Sequence, residues 1–412
     1  MSNTLSDRRR RAIVLAPFFN AKISGNRPMS AACVLAEIAT VEVVTTDFDH
    51  GTKKRCKSAQ VAPIDKITYL WTLPYYSNVG VMRLLSHVTF AIRAALYFRR
   101  HRDKFDIVYV TLPMNVLAWL ALRSAHHQFK IGDVIDIWPD GLPFPPRLVK
   151  LFRPFFALWR RFFNLAVAKA DVMLAFSDLF LNEASRHTAP HCRKRRFYVG
   201  DVNLLAEVPK ESILTVAYVG NIGRLYDFET LLDVMTDMER GSVQLFILGE
   251  GDRREWLLNE LKRRGIPHEY FGYVYDQAQF GSILCRAHVG FNGFGNTCVG
   301  ISYKANTYFA AGLPILNSLP GELYNLVEKR GLGLNYRSAD RSSLKQCFSQ
   351  LNQGELKSMS ENCVRFFSVE LERSRVHENM LAFLRECIDR GAVPDVESAI
   401  SEPREMVVTP KI

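Results

Sequence analysis

Two turns carry the residue types best suited to chemistry. VAYVGNIGR (216–224) is a β-branched run that enters a turn at Gly220 and Gly223 and leads into a helical pattern. Glycines there permit a tight turn with exposed backbone N–H groups. The helix that follows offers its positive N-terminal end, a seat for phosphate. The same residues also make a plain strand-to-helix turn. SYKANTYFAAGLPIL (302–316) supplies a second turn, with Lys304 in the first turn of its helix, close to where a diphosphate would sit. A solvated lysine is the alternative reading.

A different constellation lies in RLLSHVTFAIRAALYFRRHRDK (83–104) and PRLVKLFRPFFALWRRFFNLAVAK (146–169), which mix Phe, Trp and Leu with Arg and Lys at helical spacing. Basic side chains flanking aromatics suit an anionic lipid surface, each worth roughly 1 kcal/mol near it. An amphipathic helix with a solvated basic face is the plainer account. The charge balance favours the surface: residues 1–200 carry 30 Lys/Arg against 14 Asp/Glu, the remainder 23 against 28. Nucleic acid is the other partner for a basic half, but no RRM, HTH or KH signature is present, so none is expected.

The elements that must position these residues alternate strand with helix. In the first half they are AIVLAPFF (12–19), a helix over 29–39, VEVVTTDF (41–48), a helix over 81–101, IVYV (107–110), a helix over 114–127 and KIGDVIDIW (130–138). The grammar restarts with ILTVAYVG (213–220), a helix over 227–238, VQLFILG (243–249), a helix over 252–265 and HEYFGYV (268–274). A helix over 276–286, HVGFNGF (288–294), a helix over 302–311 and LPILNS (313–318) complete it. The pattern predicts α/β architecture, two facing Rossmann-like doubly wound domains with a cleft at the carboxyl ends of both sheets. The expected division is 1–207, 208–366, a helix within 367–390 that packs back on the first domain, and a loose tail over 391–412.

At 412 residues with 48% apolar and 23% charged side chains, the chain is a soluble-type globular protein rather than a disordered or fibrous one. The stretch from 107 to 122 is shorter than the roughly 20 residues a spanning helix needs and contains Pro113 and Asn115, so no spanning helix is predicted. Residues 8–11 followed by AIVLAPFF read as a charged tail before a buried strand, not as a leader peptide. Cysteines 33, 56, 192, 285, 298, 347, 363 and 387 form no CxxC pair and no zinc-spaced cluster. Reduced thiols in a cytoplasmic enzyme, with no metal, are expected.

The order GNIGR, FILGEGDRR (246–254), FGYV (271–274), YKANTYFAAGLPILNS and GEL (321–323) resembles the C-terminal half of glycosyltransferase family 4, enzymes of the two-domain GT-B fold. DVIDIWPDGLP (133–143) resembles a strand end of the branch that makes bacterial surface polysaccharides. VEVVTTDFDH (41–50) and ADVMLAFSD (170–178) are similar to its second and last N-domain strands. The resemblance spans about residues 12 to 390. It departs where the family commonly places a diphosphate-clamping Arg and Lys, here Asn221 and Tyr226, and two glutamates, here Val299 and Thr307. The GNIGR turn with Asp227 and the K-x-x-T-Y-x-A-A-G helix resemble a sub-branch that lacks all four.

The resemblance implies a retaining transfer of sugar from a nucleotide-diphosphate donor, a UDP-sugar by preference, to a lipid-linked saccharide. Lys304 and Arg224 are the cations left to neutralise the leaving diphosphate, and Asp140 is the candidate to hydrogen-bond the attacking hydroxyl. Donor contacts would come from Gly220, Asn221, Gly223, Gly249, Glu250, Gly251, Tyr273, Val274, Asn292, Thr307 and Glu322. Acceptor contacts would come from Gly25, Asn26, Arg27, His50, Asp136 and Trp138. The nucleotide-sugar is a substrate, so no cofactor is implied, and the enzyme would sit peripherally on the inner face of the cytoplasmic membrane. A nucleotide-sugar epimerase of the same architecture and a catalytically dead scaffold are the rival readings.

Overall fold

The structure is a computed structural model describing residues 9–20, 26–50, 52–56, 61–76, 80–140, 146–295 and 301–390. Gly25, Val299 and the tail over 391–412 lie outside the described residues. The first domain runs β1 (Arg10–Leu15), α1 (Arg27–Ala36), β2 (Ala39–Thr46), β3 (Lys66–Leu70), α2 (Val81–His101), β4 (Ile107–Leu112), α3 (Asn115–Ser124) and β5 (Phe129–Val134). It continues through α4 (Pro146–Leu151), α5 (Arg153–Val167), β6 (Val172–Ala175), α6 (Asp178–Ser185) and β7 (Arg193–Arg196). Its seven strands are parallel in the order β3-β2-β1-β4-β5-β6-β7.

The second domain comprises β8 (Leu214–Val219), α7 (Phe228–Asp237), β9 (Val243–Leu248), α8 (Arg254–Arg264), β10 (His268–Gly272), α9 (Gln277–Arg286) and β11 (Val289–Asn292). Then come α10 (Tyr303–Ala310), β12 (Ile315–Asn317), α11 (Glu322–Arg330), β13 (Gly333–Asn335), α12 (Arg341–Gln350), α13 (Gln353–Phe366) and α14 (Arg373–Arg390). Its sheet is parallel in the order β10-β9-β8-β11-β12-β13.

The unbroken apolar run AIVL becomes the central strand β1 because a parallel strand is covered on both faces, and residues 12 to 15 are fully buried. The strand stops at Leu15, two residues before Pro17, which has no N–H to give the ladder. Each sheet reverses its strand order beside its first strand, so the loops after β1, β4, β8 and β11 meet at the two switch points where such folds bind ligands. The turn at residues 220–223 is one of those loops.

Several expectations shift at element ends. The strand read over 130–138 ends at Val134, because the Asp136 carboxylate takes up the Ile137 N–H and the Trp138 indole N–H in a turn of its own. The basic segment 146–169 is two helices, with Pro154 in the first turn of α5 marking the break. β3 and β7 were not read as strands. They are sheet-edge strands, and β7 is RKRR, with no apolar signal to find. The C-terminal helix begins at Arg373 after a π-turn over Phe367–Leu371, and Val376, Met380, Phe383, Leu384 and Cys387 join the first domain's core beside Leu35 and Phe197.

No spanning helix is expected from the sequence; among the described residues one helix, Val81–Lys104, is long and apolar enough to cross a membrane, with mean hydropathy 1.2 over its most apolar stretch. A third of its most apolar stretch is buried against the domain, and Val81, Leu85, Val88, Ile92 and Leu96 leave a second apolar face exposed.

Candidate active site

In the second domain, β8 ends at a turn whose first residue, Gly220, has φ +114°, a backbone conformation that L-residues with a side chain rarely adopt. A β-carbon there would lie 3.1 Å from the Lys304 Cε. Gly220 thus lets the backbone sit directly against the lysine. The Lys304 ammonium donates to the Tyr218 hydroxyl at 2.7 Å, and that hydroxyl in turn donates to the Asn221 carbonyl. Its Nζ lies 3.2 Å from the Tyr226 ring centroid, 4.0 Å from that of Tyr218 and 5.7 Å from that of Phe294.

An isolated bridge between Tyr226 and Phe294 fixes two walls of this box. None of the ion pairs among the described residues includes Lys304. Burial without a counter-charge holds its pKa well below the ordinary lysine value. A cation caged by π-faces is poised to gain from any anion that arrives.

Arg224, in the same turn, is exposed, and no hydrogen bond or ion pair among the described residues uses its guanidinium. Asn221 is exposed beside it, and a β-carbon on Gly223 would meet the Asn221 amide nitrogen at 2.6 Å. Gly249 and Gly251 have an internal reason to be glycine: β-carbons there would lie 2.0 Å from the Gly220 carbonyl oxygen and 2.2 Å from that of Ile222. They let the loop after β9 lie flat against the 220–223 turn, with the Ile222 N–H bonded to the Glu250 carbonyl at 2.8 Å. The Glu250 side chain is held by Arg254 at 3.1 Å and by the Tyr270 hydroxyl. Tyr273 is 63% exposed, its ring tilted against that of Tyr275 with centroids 6.1 Å apart, while Val274 packs on the core.

Asn292, Asn317 and Asn335 form an amide ladder across the ends of β11, β12 and β13, each link 2.8 Å. The buried Asn292 Oδ1 has no hydrogen-bond partner. Thr307 bonds the Asp201 carboxylate at 3.3 Å in the segment between the domains. Glu322 crosses the cleft: its Oε2 accepts from the Leu179 N–H at 3.2 Å, at the N-terminus of α6 in the first domain. Its Oε1 is buried and unpartnered, and burial raises the carboxyl's pKa against the pull of the Asp178 and Leu179 N–H groups.

In the first domain, Asn26 caps α1, accepting from the Met29 and Asn20 N–H groups and donating to the Phe18 carbonyl at 2.7 Å. Arg27 is 3% exposed and forks onto the fully buried Asp133 at 2.7 and 3.3 Å. It also donates to the Phe197 carbonyl at 2.9 Å, while Tyr109 donates to the same carboxylate. That arrangement occupies Arg27 as a core ion pair joining α1, β5 and the exit from β7. Asp140 is exposed and forked onto Arg160, and it is not among the residues lining the cleft cavity.

The cavity itself, about 570 Å³, is walled by Phe18, His50, Arg83, Asp136 and Trp138 on one side and by Tyr303 and Asn306 of α10 on the other. Tyr303 and Asn306 flank Lys304, so the lysine box and the cavity share one helix. Burial raises the Asp136 pKa, opposed by the Trp138 indole and Ile137 N–H groups. Sequence reasoning gave no site role to Arg83, His87, Tyr75 or Tyr218, and marked Tyr226 only as a departure from the family's clamp. The aromatic residues stand where charged ones were sought, and only their position beside the glycine turn could have marked them.

No family model matches the chain, and no curated protein matches it. Among solved structures it is similar to sucrose-phosphate synthase from Thermosynechococcus elongatus, at 13% identity and TM-score 0.69, covering 93% of this chain and 100% of the other. It is also similar to HepE of Anabaena in complex with UDP-glucose, at 12% identity and TM-score 0.63, covering 91% and 99%. WaaG, a glycosyltransferase involved in lipopolysaccharide biosynthesis, matches at 13% identity and TM-score 0.62, covering 90% and 99%. Two parallel α/β sheets, matched over nearly the whole chain, give it the GT-B fold of glycosyltransferases.

Proposed function

We propose that the chain is a nucleotide-sugar glycosyltransferase, transferring from a UDP-sugar to a lipid-linked saccharide with retention of configuration and without a metal. The observation that carries this reading is Lys304, a caged cation with no carboxylate in its box, held against the Gly220 turn at the switch point of the second sheet. A diphosphate there would find the ammonium, the exposed Arg224 and the N–H groups of the turn. Charge gained as the glycosidic bond breaks is stabilised by those groups, and the departing phosphate oxygen itself takes the acceptor proton as the hydroxyl approaches on the same face. The structures of HepE with UDP and with UDP-glucose support uridine as the base.

A thermal-shift screen of UDP-, GDP- and dTDP-sugars, with and without EDTA, tests it. A ligand at 100 times its Kd adds about 2.7 kcal/mol to the native state. A shift with a UDP-sugar that survives EDTA is the expected result, followed by transfer to an anomerically retained product. No shift with any nucleotide-sugar would overturn the reading.

Peripheral attachment to the inner face of the cytoplasmic membrane belongs to the same proposal. Val81, Leu85, Val88, Ile92 and Leu96 form one exposed stripe along α2, and Phe152, Phe155 and Leu158 are exposed on and beside α5 among Arg153, Arg160 and Arg161. An apolar stripe with basic margins is what an anionic bilayer surface attracts.

A further inference from the structure

The sheet of the second domain opens at its switch point, and a tyrosine fills the gap. β8 and β11 pair through Val216 with Val289 and Ala217 with Gly290 and then part, although each stays paired with its other neighbour to its end. One step further the Tyr308 hydroxyl takes the place of the ladder: it accepts from the Val219 N–H at 3.0 Å and donates to the Phe291 carbonyl at 3.1 Å. Gly290 admits the ring, since a β-carbon there would lie 2.5 Å from it. Tyr308 and Lys304 are four residues apart on α10, so this wedge fixes the face of the helix that carries the ammonium.

The direction of the ammonium itself is set from β8. Tyr218 is fully buried, and the one proton of its hydroxyl goes to the Asn221 carbonyl, so toward the Lys304 Nζ at 2.7 Å it can only accept. An acceptor with no proton to offer back favours ammonium over amine, because a charged donor makes the stronger bond. The peptide that Tyr218 grips is held at both ends, its C=O by that hydroxyl and its N–H, that of Ile222, by the Glu250 carbonyl at 2.8 Å.

No charged group among the described residues competes for Lys304, and burial alone lowers its pKa. Arg224 of the same turn is exposed. Asp227 is taken up by the Thr230 and Tyr336 hydroxyls and the Ala339 N–H, and Asp252 faces Gly223, where a β-carbon would come 3.4 Å from its Oδ1. Burial raises the pKa of Tyr218, Tyr226 and Tyr308 and keeps their hydroxyls neutral. The Tyr226 and Phe294 faces attract the ammonium without fixing its direction. The bond to Tyr218 is the one hydrogen bond it makes among the described residues.

We propose that Tyr218 is a positioning residue for the donor's diphosphate: its hydroxyl holds Lys304 as an ammonium aimed at the Gly220 turn, while Tyr308 holds the helix that carries it. This rests on the donor site proposed above.

The test is urea unfolding of the full chain as a function of pH, below about pH 9 so that tyrosines of the unfolded chain stay protonated. It compares the wild type with Tyr218→Phe, Lys304→Met and the double variant. Phe keeps the edge-to-face packing on Phe228, 4.6 Å between centroids, so the core survives. The stability lost in Tyr218→Phe should shrink as pH rises, because the ammonium that uses the hydroxyl is then deprotonated in both proteins. In the Lys304→Met background the loss should not depend on pH. Tyr308→Phe, which breaks two buried bonds without touching the ammonium, should cost the same at every pH. In UDP titrations the fall of affinity with rising pH should begin about one pH unit lower in Tyr218→Phe, the scale of a hydrogen bond to a charged group. A Tyr218→Phe loss that is equal at every pH, or that keeps its pH dependence without Lys304, overturns the role, and so does an unmoved UDP profile. Failure of UDP and every nucleotide-sugar to bind instead overturns the glycosyltransferase reading, a result the unfolding series cannot produce.

Discussion

The Tyr226 ring lies across the Lys304 ammonium, its centroid 3.2 Å from Nζ. Family resemblance puts a cation at position 226. Here that place holds a π-face, and the cation comes from α10 on the opposite side of the turn. On the proposed reading, the ammonium held by two tyrosines and Phe294, together with the exposed Arg224, takes the place of that clamp.

On that reading catalysis rests on few groups. A cation beside the leaving diphosphate stabilises the transition state more than the ground state, so its loss falls mainly on kcat. Lys304→Ala and Arg224→Ala are each expected to lower kcat at saturating donor by about 10²–10³, the scale for removing an oxyanion-hole donor. Lys304→Arg should recover little, because a planar fork cannot fit a box built around a compact ammonium. Single-turnover assays on folded variants check this, and near-wild-type turnover in both Ala variants would remove the proposed site.

Donor binding should be linked to protons. Burial lowers the Lys304 pKa, so the free protein leaves it neutral over a range of pH below the usual lysine value. A diphosphate raises that pKa again by favouring the ammonium, so binding takes up a proton in this window, and affinity falls as pH rises through the free protein's Lys304 pKa. The stability linkage has the same root: unfolded chain binds more protons than folded chain there, so stability rises with pH across the window. Titrations of UDP-glucose in buffers of differing ionisation enthalpy should show proton uptake that disappears in Lys304→Met.

Glu322 ties the two domains by capping α6 through the Leu179 N–H. Loss of a capping acceptor costs about 1 kcal/mol, roughly a fivefold change in the balance between closed and open arrangements. Glu322→Ala should therefore increase the radius of gyration in small-angle scattering, whereas Glu322→Gln, which keeps an acceptor oxygen, should change it much less. Equal radii in wild type and Glu322→Ala would show that the contact does not hold the cleft.

On the membrane face, replacing Val88, Ile92, Arg153 and Arg161 with Glu should release the protein from vesicles of anionic lipid at low salt and leave UDP-glucose binding intact. These are exposed positions, so the fold loses no buried contact. Unchanged co-sedimentation would place the docking surface elsewhere. The wild type should also detach progressively as salt rises, since its basic residues are screened over about 10 Å at 0.1 M.

Legibility in the sequence followed the physics of burial. AIVL, IVYV and LFIL are continuous apolar runs because their strands are covered on both faces, and they could be read directly. RKRR at β7 and KITYL at β3 lie at sheet edges, where nothing enforces a pattern. At the site, Lys304 and Gly220 were visible because each has a distinctive neighbourhood in sequence. Arg27 lines the cleft cavity as its place in the sequence after β1 suggests, but its ion pair with Asp133 joins residues more than a hundred positions apart, and no local signal announces such a pair. Glu322 has the same character: a carboxylate at a helix start can be read as a donor contact, but its bond to the Leu179 N–H of the facing domain has no local signal.

The chain passes between its domains twice, and the two passages are stitched together. Asp201 gives its N–H to the Leu371 carbonyl at 2.9 Å and receives the Arg373 N–H at 2.9 Å, while Gly200 lets the strands touch, since a β-carbon there would meet the Arg373 Cα at 2.8 Å. A single strand would let one lobe swivel about the other like a ball on a string. Paired strands resist torsion and yield to bending, so the lobes should swing as a door does, along one arc. Helix α2 and the lysine box would then close on a shared axis, and if α2 docks on a bilayer as proposed, the second lobe would open to admit nucleotide while the first keeps its place on the surface.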